Sequence, residues 1–390
     1  MSSRPIHIGA AAARALRAAR PVGHSHRVAD AAAAITAHPP DDPSFQHSVF
    51  AQISLPARQP PSNVRNWTAQ NGSVFCSIDA GSAINPATGE RLLVPLPWGV
   101  KARLVLIYLN TEAVRTASPE IDVRRSLTAF TRELLGRAPK GRELRLIKTQ
   151  LLALSAAHVT MAFLRAGHVD HHHATILDRF QLWASDLREQ RFTWPRRVTL
   201  SARYFASLVK HAIPLDPRAI SGLAHSALAL DQYVWLAQRL HRVTSQRPQV
   251  IRWAALHDQF ARRPARLDDF RREFRRTLRS VLHVYPAARV EDLTTARGWP
   301  VGLKLLHSPP PVKPRPFPRA NRAQFLAQSA PISSESPITT ATTVSLAPTA
   351  PLALGVTAPS AAVSPQRGDT TVRPSAIRPT IGSARGRSDG

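Results

Sequence analysis

Residues 267–285 set the strongest constraint on how this chain folds. Leu267, Phe270, Phe274, Leu278, Val281 and Tyr285 follow one another at spacings of three, four, four, three and four. That rhythm keeps them on one side of an α-helix and demands a core on that side. The other side carries Arg271, Arg272, Arg275, Arg276 and Arg279, preceded by Arg262, Arg263 and Arg266. Eight arginines thus stand against Asp268, Asp269 and Glu273 within 18 residues. A helix with a dry face and a guanidinium face is wide enough to enter the major groove of duplex DNA. Arginine there grips phosphates or pairs with guanine O6 and N7.

The elements around this helix recur. From Pro97 the pattern predicts a helix over Trp98–Leu109 and a short strand at Glu120–Val123. A helix capped by Ser126 and ended by Gly136 follows, then a longer one over Arg142–His158. Strands over Val159–Leu164 and Ala174–Trp183 then flank a turn at Arg165–His168. The second round runs through a strand at Arg197–Leu200 and a helix at Tyr204–Lys210. A helix from Asp216-Pro217 to about Leu240 and a strand at Gln249–Arg252 come next. Helices at Trp253–Phe260 and 267–285 lead to a hairpin of Arg289–Leu293 and Leu303–Leu306. Helix, strand, helix, helix, strand, strand is the layout of a winged helix. The expected fold is mainly α with small β-hairpins (α+β): two tandem winged-helix domains, over residues 97–196 and 197–308.

Flanking segments differ. Residues 61–96 read as a short β lead-in, with strands at Val74–Ile78 and Arg91–Val94 and Cys76 buried between apolar neighbours. Residues 1–60 hold alanine runs and the breakers Pro39, Pro40, Pro43, Pro56 and Pro60, and are expected to be disordered. Residues 309–390 contain 14 prolines among Ser, Thr and Ala, a composition that buries too little apolar area to offset chain entropy. They too are expected to be disordered.

Charge points to a polyanion. The whole chain carries +27, and residues 61–308 hold 37 of its cations against 19 of its anions. The excess therefore sits where the fold is expected, and nucleic acid is the commonest partner of such a surface. The corresponding helix of the first round offers Arg142, Arg145 and Lys148. That helix serves DNA contact on one reading; on the other its apolar stripe of Leu144, Ile147, Leu151 and Leu154 serves packing or self-association. Arg297 in the second hairpin and Arg165 in the first are candidate wing contacts. The run His168-Val169-Asp170-His171-His172-His173 lacks nearby cysteine and grouped carboxylates, so a solvated wing is expected rather than a zinc site. No cofactor is expected. A strand-nicking enzyme would need a reachable tyrosine, and Tyr108, Tyr204, Tyr233 and Tyr285 all fall within apolar helix patterns. No phosphate-binding Gly-Lys-Ser/Thr loop occurs. No run of about 18 apolar residues suggests a membrane span, and one cysteine excludes a disulfide framework.

A series of blocks in order resembles a known family. They include Pro95-Leu96-Pro97-Trp98-Gly99, Thr111-Glu112-Ala113-Val114-Arg115-Thr116 and Ser126-Leu127 through Phe130. Pro214-Leu215-Asp216, Ala229-Leu230-Asp231-Gln232-Tyr233-Val234-Trp235-Leu236-Ala237, Trp253 through Phe260 and Val284-Tyr285-Pro286 continue the series. Together they are similar to the plasmid-encoded RepA replication initiators of Gram-negative bacteria. The single cysteine and the lack of a membrane span fit a cytoplasmic protein, no catalytic grouping stands out, and the resemblance implies one that binds repeated double-stranded sites at a plasmid origin and melts them locally. It also implies recruitment of the host initiator and helicase, and exchange between monomer and homodimer. A winged-helix transcription regulator or partition factor is the competing expectation.

Overall fold

The computed structural model describes residues 3–5, 23–71, 74–84, 89–123, 126–165, 168–180, 183–186, 191–194, 196–260 and 266–313. Of the expected tails, residues 1–2, 6–22 and 314–390 lie outside the described residues. The rest of the N-terminal segment corrects the expectation of disorder. β1 (Ser3–Pro5) is followed by α1 (Gly23–Ala37), β2 (Ser44–His47) and α2 (Val49–Gln52). Val28, Ala31, Phe50, Ala51 and Ile53 are buried. The alanine run that reads as low complexity is what lets α1 lie close to its neighbour. A Cβ placed on Gly222 would sit 2.9 Å from the Ala31 Cβ. Arg218 donates to the carbonyls of Ala34 (2.8 Å) and His38 (3.0 Å), supplying partners that the end of a helix lacks.

β3 (Asn66–Asn71) and β4 (Val74–Asp79) form a hairpin, with Cys76 buried as expected, and β5 (Ser82–Ile84) pairs with β6 (Arg91–Leu93). α3 (Gly99–Thr116) is apolar on nearly every side, and a helix of that kind has to be buried all round. Leu104 and Ile107 belong to one hydrophobic core; Ala102, Val105, Leu106 and Leu109 belong to a second. α3 is thus the shared wall of both.

β7 (Glu120–Asp122), α4 (Leu127–Leu135) and α5 (Gly141–Ala156) follow at the expected places. The Ser126 hydroxyl accepts the Ala129 N–H, and Gly136 ends α4 at φ 63°. β8 (His158–Arg165) and β9 (His168–Thr175) pair about residues 166–167, which lie outside the description. β8 also pairs with β4, so the lead-in joins this hairpin in a sheet of order β3-β4-β8-β9. β10 (Leu177–Phe180), the small ladder of β11 (Trp183–Asp186) and β12 (Arg191–Thr193), and β13 (Arg197–Leu200) come next. β13, expected to open the second round, instead completes a sheet of order β10-β13-β7 with the first. Strand patterning specifies which face is buried, not which distant strand is the partner.

α6 (Ala202–His211) leads into β14 (Ala212–Leu215), which pairs antiparallel with β2. The expected single helix from Asp216 is two. α7 (Pro217–Leu223) is capped by Asp216, and α8 (Ala227–Arg239) starts afresh where the Ser226 hydroxyl accepts the Ala229 N–H. β15 (Gln249–Arg252), α9 (Trp253–Phe260), α10 (Leu267–Val284) and β16 (Val290–Thr294) match the sequence reading within a residue, and β17 (Pro300–Leu305) begins three residues earlier than expected. Their sheet has the order β1-β16-β17-β15. At the crossing of β17 with β15 only glycine fits, because a Cβ on Gly302 would lie 2.1 Å from the Ile251 carbonyl oxygen. The architecture is α+β with several small antiparallel sheets on a helical body. One ordering recurs in two of those sheets, β10-β13-β7 and, beside β1, β16-β17-β15: two antiparallel strands that follow a helix pair, then the strand that precedes that pair.

Candidate nucleic-acid interface

α10 has the two faces its sequence predicts. Phe270, Phe274, Thr277, Leu278, Val281 and Leu282 are buried, and Phe274 sits among Trp235, Trp253 and Phe260 in edge-on aromatic contacts. Gln232 of α8 donates to the Phe274 carbonyl at 3.0 Å. The inner face is therefore fully committed, and the helix cannot roll to bury its arginines.

The outer face is not uniformly available. Asp268 and Asp269 occupy the first turn, where negative charge is favoured by the helix dipole. One turn on, Arg271 forms an ion pair with Asp268, and Arg272 pairs with Asp269 at 3.3 Å. Arg272 remains exposed, and pairs of this kind on a surface are weak, so phosphate can displace the carboxylate. Arg275 differs. It is half-buried, donates to Asp292 of β16 at 2.9 Å and lies over the Trp253 ring with its guanidinium carbon 4.8 Å from the centroid. Its contacts join α10 to the closing hairpin, and DNA would have to compete for it. Arg266, Arg276 and Arg279 are exposed, as is Arg297 at the tip of the β16–β17 hairpin. Arg262 and Arg263 lie outside the described residues.

α5 in the first half is less well suited. Arg142 and Arg145 are exposed, but Lys148 is half-buried and its ammonium is pushed down by desolvation. Gln150 is turned inward, accepting the Trp98 N–H at 2.8 Å at the start of α3. Ile147, Leu151 and Leu154 fill the second core, so the stripe left open between packing and self-association is used for packing. Glu143 receives two hydrogen bonds from Arg137 (2.6 and 2.9 Å) and one from Lys101 (3.4 Å), together with the Lys140 N–H. Held chiefly by Arg137, its carboxyl drops to about 2. Arg137 and Lys101 are thereby spent inside the fold. The side chains of Arg165 and of the His168–His173 run lie outside the described residues. Among the described residues no three His, Cys, Asp or Glu side chains converge as a metal site would require, and no helix is long and apolar enough to cross a membrane.

Three of the four tyrosines are enclosed. Tyr204 donates to Asn110 Oδ1 at 3.0 Å, Tyr285 donates to the Pro309 carbonyl at 2.7 Å, and Tyr233 accepts the Asp216 N–H at 3.0 Å. Burial pushes all three phenols upward. Sequence reasoning missed one exposed group in the turn between β16 and β17, Trp299, although the residues around it (Gly298 before, Pro300 after) carry a turn signal.

Comparison with known proteins adds the following. Two crystal structures of domains 2 and 3 of RctB resemble the chain. One, a selenomethionine derivative, has a TM-score of 0.43 at 12% identity and covers 66% of this chain and 94% of its own. The other has a TM-score of 0.41 at 11% identity, covering 66% and 96%. No curated protein matches the sequence. The profile of a family described as plasmid encoded RepA protein matches residues 96–255, a span that runs from the start of α3 into α9 and stops short of α10. Over residues 96–255, therefore, this chain is similar to the family of plasmid-encoded RepA proteins.

Proposed function

We propose that this protein is a plasmid replication initiator that binds repeated double-stranded origin sites without catalysing a reaction, and that recruits host initiation proteins once bound. The observation that carries the reading is the exposed row of Arg272, Arg276 and Arg279 on a helix whose opposite face is locked in the core. The match of residues 96–255 to the plasmid-encoded RepA family supports the plasmid role. On this reading the protein contains two winged-helix modules. In the first, α3, β7, α4 and α5 are followed by β10 and β13. In the second, α8, β15, α9 and α10 are followed by β16 and β17. The matching orders β10-β13-β7 and β16-β17-β15 support it. The β8–β9 hairpin is then an insertion that pairs with β3 and β4, and the wing of the first module is β10–β13. α10 lies in the major groove, with Arg266, Arg272, Arg276 and Arg279 on phosphates or bases and Arg297 on the flanking backbone. Arg271 and Arg275 act within the protein. The enclosure of Tyr204, Tyr233 and Tyr285 speaks against a strand-nicking enzyme, which needs a phenol that reaches DNA.

The test is a salt titration of binding to plasmid DNA that adjoins the gene and carries iterated repeats. Each phosphate contact contributes roughly 0.9 to the slope of log K against log salt. Replacing Arg272, Arg276 and Arg279 by Ala should lower that slope by about 2 to 3 and abolish retention of the DNA at moderate salt. A folded triple variant with the parental slope would remove α10 as the contacting helix.

A further inference from the structure

The turn joining β16 to β17 is held by its own hydrogen bonds. The Thr295 N–H donates to the Trp299 carbonyl at 2.9 Å, the Gly298 N–H to the Thr295 carbonyl at 2.9 Å, and the Trp299 N–H to the Thr295 hydroxyl at 3.1 Å. Gly298 has φ 81°, a conformation open to glycine at little cost. Pro300 restricts the backbone of Trp299 to extended conformations. On this firm mount stands an indole that is 70% exposed, whereas Trp235 and Trp253 are buried in the core. Arg297, also exposed, lies two residues away. Arg275 and Asp292 tie the first strand of this hairpin to α10.

A lone exposed aliphatic side chain calls for no explanation. A tryptophan held on a hydrogen-bonded turn beside an arginine is a different object: a flat apolar surface with a phosphate-gripping group within one nucleotide's reach. We infer that Trp299 is a stacking platform for an unpaired nucleobase, with Arg297 on the adjoining phosphate, so that the second hairpin captures single-stranded DNA as the origin opens. The inference rests on the DNA-binding reading above. An unpaired base is favoured over a step in duplex DNA on energetic grounds. Inserting a wedge into a duplex costs about what one base–aromatic contact returns, or more, whereas a base already unstacked carries no such cost.

The experiment uses the full chain and three probes: a short thymidine homopolymer, an abasic phosphodiester strand of equal length, and a duplex of unrelated sequence. Tryptophan fluorescence and affinity are read for the parent, Trp299→Leu and Trp299→Phe, with circular dichroism and thermal midpoint as controls of folding. The homopolymer should quench the parent, and the abasic strand should leave that emission unchanged. Trp299→Leu should lose the quench and roughly 10-fold or more in affinity for the homopolymer, while Trp299→Phe keeps most of the affinity and duplex binding is the same in all three. Equal homopolymer affinity in folded Trp299→Leu overturns the inference. So does an abasic strand that binds as well as the homopolymer, or a loss that is as large on duplex as on single strand. Failure of the α10 reading shows separately: the triple arginine variant would then keep its duplex salt slope, whatever Trp299 does on single strands.

Discussion

Arg103 and Asp231 join α3 to α8, and removing one of them is the most demanding check on how the two cores are coupled. Arg103 is 3% exposed and Asp231 9%. The pair is bidentate, with Nε donating to Oδ1 at 2.7 Å and Nη2 to Oδ2 at 2.6 Å. The remaining donors reach the carbonyls of Gly99 (2.8 Å), Leu55 (2.7 Å) and Pro56 (3.3 Å), which fastens the segment after α2 to the same point. Arg103→Met fills most of the volume but leaves a buried carboxylate without a counter-ion. Breaking a buried pair from one side costs about 3–5 kcal/mol. For a protein of this size that corresponds to a fall in thermal midpoint of roughly 5–8 °C. Burial already pushes the Asp231 carboxyl up against the pull of Arg103. Without Arg103 it rises further, so the folded variant holds a proton that the unfolded chain releases. The variant is therefore more stable at pH 5 than at pH 8. Replacing both residues, Arg103→Met with Asp231→Leu, should recover most of the loss, since the desolvation cost disappears along with the attraction. Urea unfolding of the full-length single and double variants at the two pH values measures all of this. A single variant that loses less than about 1 kcal/mol, or a double variant no more stable than the single, would refute the reasoning.

Two further outcomes follow from the described geometry. His47 is enclosed against Tyr204, bonded to the Ser207 hydroxyl at 3.0 Å and accepts the Val49 N–H at 3.1 Å. Burial first, then the neighbouring His211, lowers its pKa to about 4. The unfolded chain takes up that proton near pH 6.5, so stability is complete above 6.5 and is lost as pH falls toward 4, by up to about 3 kcal/mol. His47→Gln should flatten chemical-denaturation stability across that window, and a slope identical to the parent's would contradict the assignment. At the β15–β17 crossing, Gly302→Ala forces the strands apart because the new methyl meets backbone rather than a movable side chain. It should lower stability by at least about 2 kcal/mol and speed hydrogen exchange at Ile251 and Leu303, and protection equal to the parent's would show that the strands are not so close.

The elements whose hydrogen bonds run between near neighbours were legible residue by residue. Ser126 and Gly136 bound α4, Asp216-Pro217 opens α7, and the three-and-four rhythm from Leu267 delimits α10 with its arginines outward. Ser226 also marks a helix start, but the apolar run through Leu223 and Ala229 concealed the break before it. Partners far apart in sequence were not legible. Nothing local to Val74–Asp79 says that it pairs with His158–Arg165, or that Arg197–Leu200 closes the sheet begun by Glu120–Asp122. The alanine-rich N-terminus was misread for the same reason, since its small side chains gain meaning only against Gly222.

The candidate interface divides along the same line. By itself the sequence determined that α10 is amphipathic, that its exposed side is cationic and that a hairpin follows, because helix periodicity and turn chemistry act over a few residues. Only tertiary structure decided which arginines remain for a ligand. Asp268 and Asp269 lie one turn from their partners, but Asp292 meets Arg275 from another strand, and Trp253 approaches it from another helix. A charge acts on whatever lies within a few ångströms, and for a folded chain that neighbourhood is set by packing rather than by order along the backbone.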